Sequence, residues 1–145
     1  MLPVELNPEE CLELLHANVV GRVAYTSPAG PRIVPLNYAM HRGAIVFRTT
    51  PYSELGTYAD GSELAFEVDH LDYEHHQGWS VVAEGRGSRV DDPDEVAEIR
   101  RTWDPRPWAG GSRLLYVRLD SRTVTGRRLG GDWTFETASP VRRRV

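Results

Sequence analysis

The sequence predicts a mainly β domain with short helices, built as a small antiparallel barrel of six or seven strands. Three observations point there. Apolar and polar residues alternate through much of the chain, as where Leu64, Phe66 and Val68 fall on one face and Glu67 and Asp69 on the other. The turns between such runs, at residues 28–30 and at His41-Arg42-Gly43, are too short to hold a crossover helix. Helical patterns are few and never alternate regularly with strands, which argues against a doubly wound sheet. At 145 residues the chain is expected to form one domain, 1–145, with a core that needs no disulfide or metal staple and a tail from about residue 135.

The first element is helical. In LNPEECLELLHANV, Asn7 is placed to cap, Pro8 to take the first helical position and Glu10 to complete a capping box. Cys11, Leu12, Leu15 and Val19 follow near helical spacing. GRVAYTS, RIVPLNYAM and AIVFRT then read as an antiparallel meander, with Val34, Leu36, Tyr38 and Met40 forming a core-facing row. PYSELGTYAD, short and punctuated by glycine, is expected to be a helical turn, and ELAFEVDH is the next strand. WSVVAEGRGSRV follows as another, with Gly85 and Gly87 marking bends where a barrel coils. DPDEVAEIRRTW has an Asp cap, an acidic first turn and Arg100 and Arg101 at its end, the charge order a helix dipole favours. DPRPWAGG, from Asp104 to Gly111, is expected to be an ordered loop and a candidate lid. RLLYVRLD and TVTGRRL supply two closing strands.

Composition excludes several function classes. A formal charge of −4 argues against nucleic acid as a partner, since phosphate backbones call for a basic face. No apolar run reaches the length of a membrane span and no signal-peptide pattern opens the chain, so a soluble cytoplasmic protein acting on a small molecule is expected. The single cysteine, Cys11, lies in the apolar helical pattern and reads as a buried structural thiol. All 17 basic side chains are arginine, so any anion must be met by Arg, hydroxyls or backbone amides. The closing VRRRV reads as a solvated tail. Trp79, Trp103, Trp108 and Trp133 are core or interface candidates. DHLDYEHHQGW holds Asp69, His70, Asp72, Glu74, His75 and His76, residue types that bind metals, but adjacent His75 and His76 would need unusual loop geometry to share an ion. A solvated loop without metal is expected there.

The stretch FRTTPYSELG places a guanidinium, two hydroxyls and a helix start at one strand end. Thr50 is placed to cap and Pro51 to begin the helix, which would leave the amides of Tyr52 and Ser53 for an anion. Taken alone, an ordinary exposed arginine and an ordinary cap explain this stretch. In order along the chain, however, VGRVAY, GPRIVPLNYAMHRGAIVFRTTP, LAFEVDHLD, GWSVVAEGRG and TGRRL resemble the pyridoxamine 5'-phosphate oxidase-like family, the FMN-binding split barrels, and in particular its short actinobacterial-type members. The resemblance runs from about Cys11 to Leu129.

That resemblance implies a split β-barrel and a two-fold homodimer with flavin sites between the subunits. It places the cofactor ring against Pro35, Leu36, Asn37 and Tyr38, its phosphate at Arg48, Thr49, Thr50 and Ser53, and a partner-supplied wall at Gly78, Trp79 and Ser80. Arg127 and Arg128 match a recurrent Gly-Arg-Arg to which no contact is assigned. The implied function is an FMN-dependent oxidoreductase of unknown substrate and unnamed catalytic residues, since flavin chemistry asks little of side chains. The chain departs from the family at Glu54, where many relatives have a phosphate-binding lysine. A like-charge contact at about 4 Å and an effective dielectric near 20 is on the order of 4 kcal/mol before solvent screening. Glu54 therefore keeps open a deazaflavin cofactor, as in some short relatives, and a non-catalytic flavin- or heme-binding or cofactor-free dimer. Heme, bound by some relatives, is what keeps His70, His75 and His76 of interest.

Overall fold

The computed structural model describes residues 2–108, 110–111 and 113–131. Trp133 and the terminal VRRRV lie outside these residues. The elements run β1 (Val4–Glu5), α1 (Pro8–Ala17), β2 (Val20–Ser27), β3 (Gly30–His41), β4 (Ala44–Thr49), α2 (Glu54–Tyr58), β5 (Glu63–Asp72), β6 (Gln77–Arg89), α3 (Pro93–Trp103) and β7 (Leu115–Leu129). All strand pairings are antiparallel, in the order β1-β7-β4-β3-β2-β5-β6, and β6 pairs back on β7. Six strands thus close a ring to which β1 is appended, the split-barrel architecture expected from the sequence.

The inner face of the ring is the main core. Phe66 meets Tyr38 edge-on with ring centroids 5.0 Å apart and stacks on Phe47 at 6.4 Å, while Val23, Trp79, Val81 and Val117 fill the space around them. Val34, Leu36 and Met40 pack half-buried beside Tyr38, the row that the alternation predicts. Helix α1 adds Cys11, Leu14 and Leu15 to this core, and its capping box is formed by Asn7 and Glu10 as expected. Leu12, however, is 41% exposed, and Leu14 takes the core position, because 3.6 residues per turn puts Leu14 beside Cys11 and Leu15 on the inward stripe. Burial pushes the Cys11 thiol up from its ordinary value, in keeping with an inert side chain.

A second, smaller core lies outside the ring, where Val46, Val90 and Tyr116 pack against Ile99 of α3. This helix explains why Ala44, Ile45, Val46 and Phe47 form an unbroken apolar run: β4 is buried on both faces. Two strand expectations change. RLLYVRLD and TVTGRRL are halves of the single strand β7, which pairs with β4 through Leu115–Leu119 and with β6 through Val117–Leu129. Asp120-Ser121-Arg122 looks like a turn but is a bulge, since Thr123 pairs with Glu84 and Ser121 with Gly85. The seventh strand is instead β1, whose two residues carry no periodic signal.

Candidate functional site

The end of β4 and the start of α2 are tied together locally. Ser53, rather than Thr50, is the N-cap of α2: its hydroxyl accepts from the Gly56 amide at 2.9 Å and donates to the Thr50 carbonyl at 2.8 Å. Pro51 therefore sits in the preceding turn, and the Ser53 amide is not left for an anion but bonds the Thr50 carbonyl at 3.2 Å. The Thr49 and Ser53 hydroxyls are 3.0 Å apart. Since the Ser53 proton is already committed to Thr50, Thr49 is the donor of that pair. Both hydroxyls thus hold the turn in shape.

Arg48 projects from the same strand end towards the segment after α3. Its Nε donates to the Arg113 carbonyl and its Nη1 to Asp104 Oδ2, both at 3.0 Å, and its guanidinium lies 5.1 Å from the centre of the Tyr116 ring. The other Asp104 oxygen accepts from the Tyr116 hydroxyl at 2.9 Å. Burial pushes the Tyr116 phenol up; the hydrogen bond from Arg100 opposes that shift, and Asp104 adds to it. Arg48 is therefore a half-buried, fixed cation and not the exposed strand residue that composition suggests.

Glu54 has its own partners. Its Oε1 accepts from the Tyr25 hydroxyl at 2.8 Å and lies 3.2 Å from Arg32 Nε. Burial raises the Tyr25 pKa, and the bond to Glu54 adds to the rise while Arg32 opposes it. Arg32 carries no motif signal in the sequence, yet it faces Tyr25 across the β2–β3 hairpin.

These elements frame a cleft of about 350 Å³. It gathers Pro35, Leu36, Asn37, Arg48 and Thr49 from the predicted site and adds Leu55, Trp108 and Arg113. Thr50 and Ser53 sit in the adjoining turn. The Trp108 amide donates to Asn37 Oδ1 at 3.0 Å, which fixes the loop at Trp108 against β3 beside the cleft that Trp108 lines. A neighbouring cleft of about 380 Å³ shares Asn37 and Trp108 and reaches Arg100, Arg101 and Arg106. Tyr38 contributes only at its edge, for its ring is in the core and its hydroxyl donates to the Leu15 carbonyl at 2.6 Å.

Trp79 and Ser80 are not brought to this place within one chain. They line a separate apolar cleft of about 460 Å³ with Leu71, Tyr73, Arg127 and Arg128. In the β5–β6 turn, His75 Nδ1 lies 2.8 Å from Asp72 Oδ2, and His76 adopts a positive φ of 53°. Among the described residues, no three His, Cys, Asp or Glu side chains gather as a metal cage. Nor is any described helix long and apolar enough to cross a membrane. Chemically, the first cleft offers an apolar wall for a flat ring, beside two arginines able to meet an anion.

Known proteins are similar to this chain in sequence and in fold. An uncharacterised protein of Mycobacterium tuberculosis is 34% identical over 134 residues, covering 89% of this chain and 87% of that protein. The solved FAD-binding protein of Mycobacterium smegmatis is 30% identical and superposes with a TM-score of 0.72, covering 86% of this chain and 97% of that one. A FAD-binding protein from Mesorhizobium loti, at 24% identity, shares the fold with a TM-score of 0.67 over 90% of this chain and all of that one. The family model described as pyridoxamine 5'-phosphate oxidase matches residues 7–128, and with that span of agreement the chain belongs to the pyridoxamine 5'-phosphate oxidase family.

Proposed function

We propose that the protein is a flavin-dependent oxidoreductase that uses FMN, acts on a small molecule, and works as a homodimer whose sites lie between subunits. The observation that carries this reading is the cleft that joins an apolar wall at Val34, Pro35 and Leu36 to the guanidinium of Arg48. Such a pairing fits a flat ring system with an anionic tail. The 30% identical structure being a FAD-binding protein supports a flavin and makes FAD the nucleotide to compare with FMN.

The donor set fits this group, with one restriction. The hydroxyls of Thr49 and Ser53 are committed to the turn, so Arg48, with Arg113 beside it and the Thr50 hydroxyl in the adjoining turn, is left to hold the phosphate. A bound flavin would supply the two-electron chemistry. The chain's part is to seat the ring against Pro35–Asn37, to keep water from it with Trp108, and to fix the tail at Arg48. A partner's Ser80 and its neighbours would complete the wall, because they lie in a different cleft of their own chain.

The test is calorimetric titration of cofactor-stripped protein with FMN and with FAD, alongside Arg48→Ala. Saturable binding that falls at least about tenfold in the variant is expected, the scale of a lost charge-assisted contact. Binding of neither nucleotide would sink the reading and leave a deazaflavin or a cofactor-free dimer.

A further inference from the structure

Arg48 and Asp104 form the least exposed Arg–carboxylate pair at the cleft, with side chains 17% and 18% exposed. Both Asp104 oxygens are used, one by Arg48 and the other by Tyr116. Arg48 in turn spends Nε on the Arg113 carbonyl and Nη1 on Asp104, while Nη2 has no hydrogen-bond partner among the described residues. The cation that would meet a phosphate is therefore already facing an anion of the chain itself.

Asp104 also begins the strap, residues 104–108, that lines both neighbouring clefts. It is the C-cap of α3, its carbonyl accepts from the Arg106 amide at 2.8 Å, and four residues on, the Trp108 amide is fixed to Asn37. The strap is thus held at Asp104 by Arg48 and at Trp108 by β3. Arg100, Arg101 and Arg106 nearby are paired to no carboxylate among the described residues, so an incoming anion meets a positive surround once the Asp104 charge moves aside.

We infer that Asp104 is a latch: its carboxylate stands in for a phosphate on Arg48, and a phosphate binds by taking its place, loosening the Asp104–Trp108 strap as it does so. The inference builds on the flavin reading, since it concerns the same arginine, but it requires only a phosphate-bearing ligand. An intramolecular carboxylate costs no binding entropy, so it competes well until a dianion with several acceptor oxygens arrives. The arrangement keeps Arg48 paired in the empty site and makes strap opening a consequence of phosphate binding.

The experiment compares the natural protein with Asp104→Asn, which keeps the side-chain shape and an oxygen for Tyr116. Titrations use FMN and inorganic phosphate, and amide hydrogen exchange is followed at Arg106 and Trp108. The variant is expected to bind both ligands about tenfold more tightly, the effect of removing one partly buried like charge. Exchange at Arg106 and Trp108 should be faster in the unliganded variant, and faster in the natural protein once phosphate saturates it. FMN binding by the natural protein with no tightening in Asp104→Asn would overturn the latch and spare the flavin reading. Tighter phosphate binding by the variant with no FMN binding by either form would uphold the latch and reject the flavin. If phosphate binding is unchanged or weaker in the variant while the amides exchange at the natural rate, Asp104 is only a structural partner of Arg48 and the inference fails. Tyr116→Phe, which removes the other hold on Asp104 and leaves the charge in place, separates strap loosening from electrostatics: it should quicken exchange without tightening FMN about tenfold.

Discussion

Glu67 is a carboxylate held against its own charge. Burial raises its pKa, the neighbouring Asp69 adds to the rise, and Arg22 only partly opposes them. One of its oxygens is buried with no hydrogen-bond partner among the described residues. A folded value above the unfolded one means that the contribution to stability is present below the usual carboxylate value and is lost as pH rises through the folded value. At neutral pH the ionised group is therefore a cost. Glu67→Gln should raise Tm at pH 7 by more than it does near pH 4, as calorimetric scans at both values would register; a fall at pH 7 would mean that the Arg22 pair outweighs burial. Glu54 is the opposite case, an acid whose surroundings answer it. Its charge looks hostile to a phosphate in the sequence, yet Tyr25 and Arg32 already hold it. A surface ion pair of this kind is worth about 0–1 kcal/mol, so Glu54→Gln should change FMN affinity by less than about fivefold in a titration. Tightening of about a hundredfold would restore the direct clash. Arg48, the proline-bearing turn and the acid at position 54 are all legible as residue types. Their partners are not, because Asp104 lies 56 residues from Arg48 and Arg32 reaches Glu54 only after a hairpin has formed.

At the scale of elements, alternation and turn chemistry carried the β2–β3–β4 meander, the caps of α1 and α3 and the strand character of β5 and β6, but put the α2 cap at Thr50 instead of Ser53. They failed where pairing, not local pattern, decides. Asp120-Ser121-Arg122 has the composition of a turn, but β6 runs alongside it on one edge and absorbs the irregularity, so Arg122 becomes the extra residue of a bulge within one strand. Gly85 makes that possible. A Cβ there would stand 2.0 Å from the Asp120 carbonyl oxygen, a backbone atom that cannot turn away. Gly85→Ala should destabilise the fold by at least about 2 kcal/mol in urea denaturation, as a forced backbone shift in a packed sheet would. Gly131→Ala, where nothing among the described residues lies within 4 Å, serves as the comparison and should be close to neutral. Equal effects at both positions would show that the bulge has slack. The same logic covers α1, where local spacing found the cap but put Leu12 on the core face in place of Leu14, since only docking onto the ring fixes which side of a helix is inward.

At the scale of the molecule, the two halves of the predicted site are in different places on one chain. Pro35, Leu36, Asn37, Arg48 and Thr49 line one cleft, and Trp79 and Ser80 line another. A single chain cannot close a site from both, whereas a two-fold pair can, each copy lending its second cleft to the first cleft of the other. Around the second cleft, Leu71 and Tyr73 are 51% and 82% exposed, an apolar rim suited to such a contact. The proposed homodimer then makes a prediction that no single-chain site shares. Arg48→Ala damages the first cleft and Ser80→Arg the second, so each variant alone should bind FMN at least about tenfold more weakly in both of its sites. In a mixed dimer, one site collects both defects and the other collects neither. Co-expressing the two variants with different tags and isolating the mixed species should therefore restore FMN to about half of the sites, by flavin absorbance against protein concentration. If the mixed dimer binds none, the two clefts do not meet across the interface. Full binding by the Ser80→Arg homodimer would place the whole site on the β3–β4 side of one chain, and sedimentation showing a monomer throughout would remove the dimer itself.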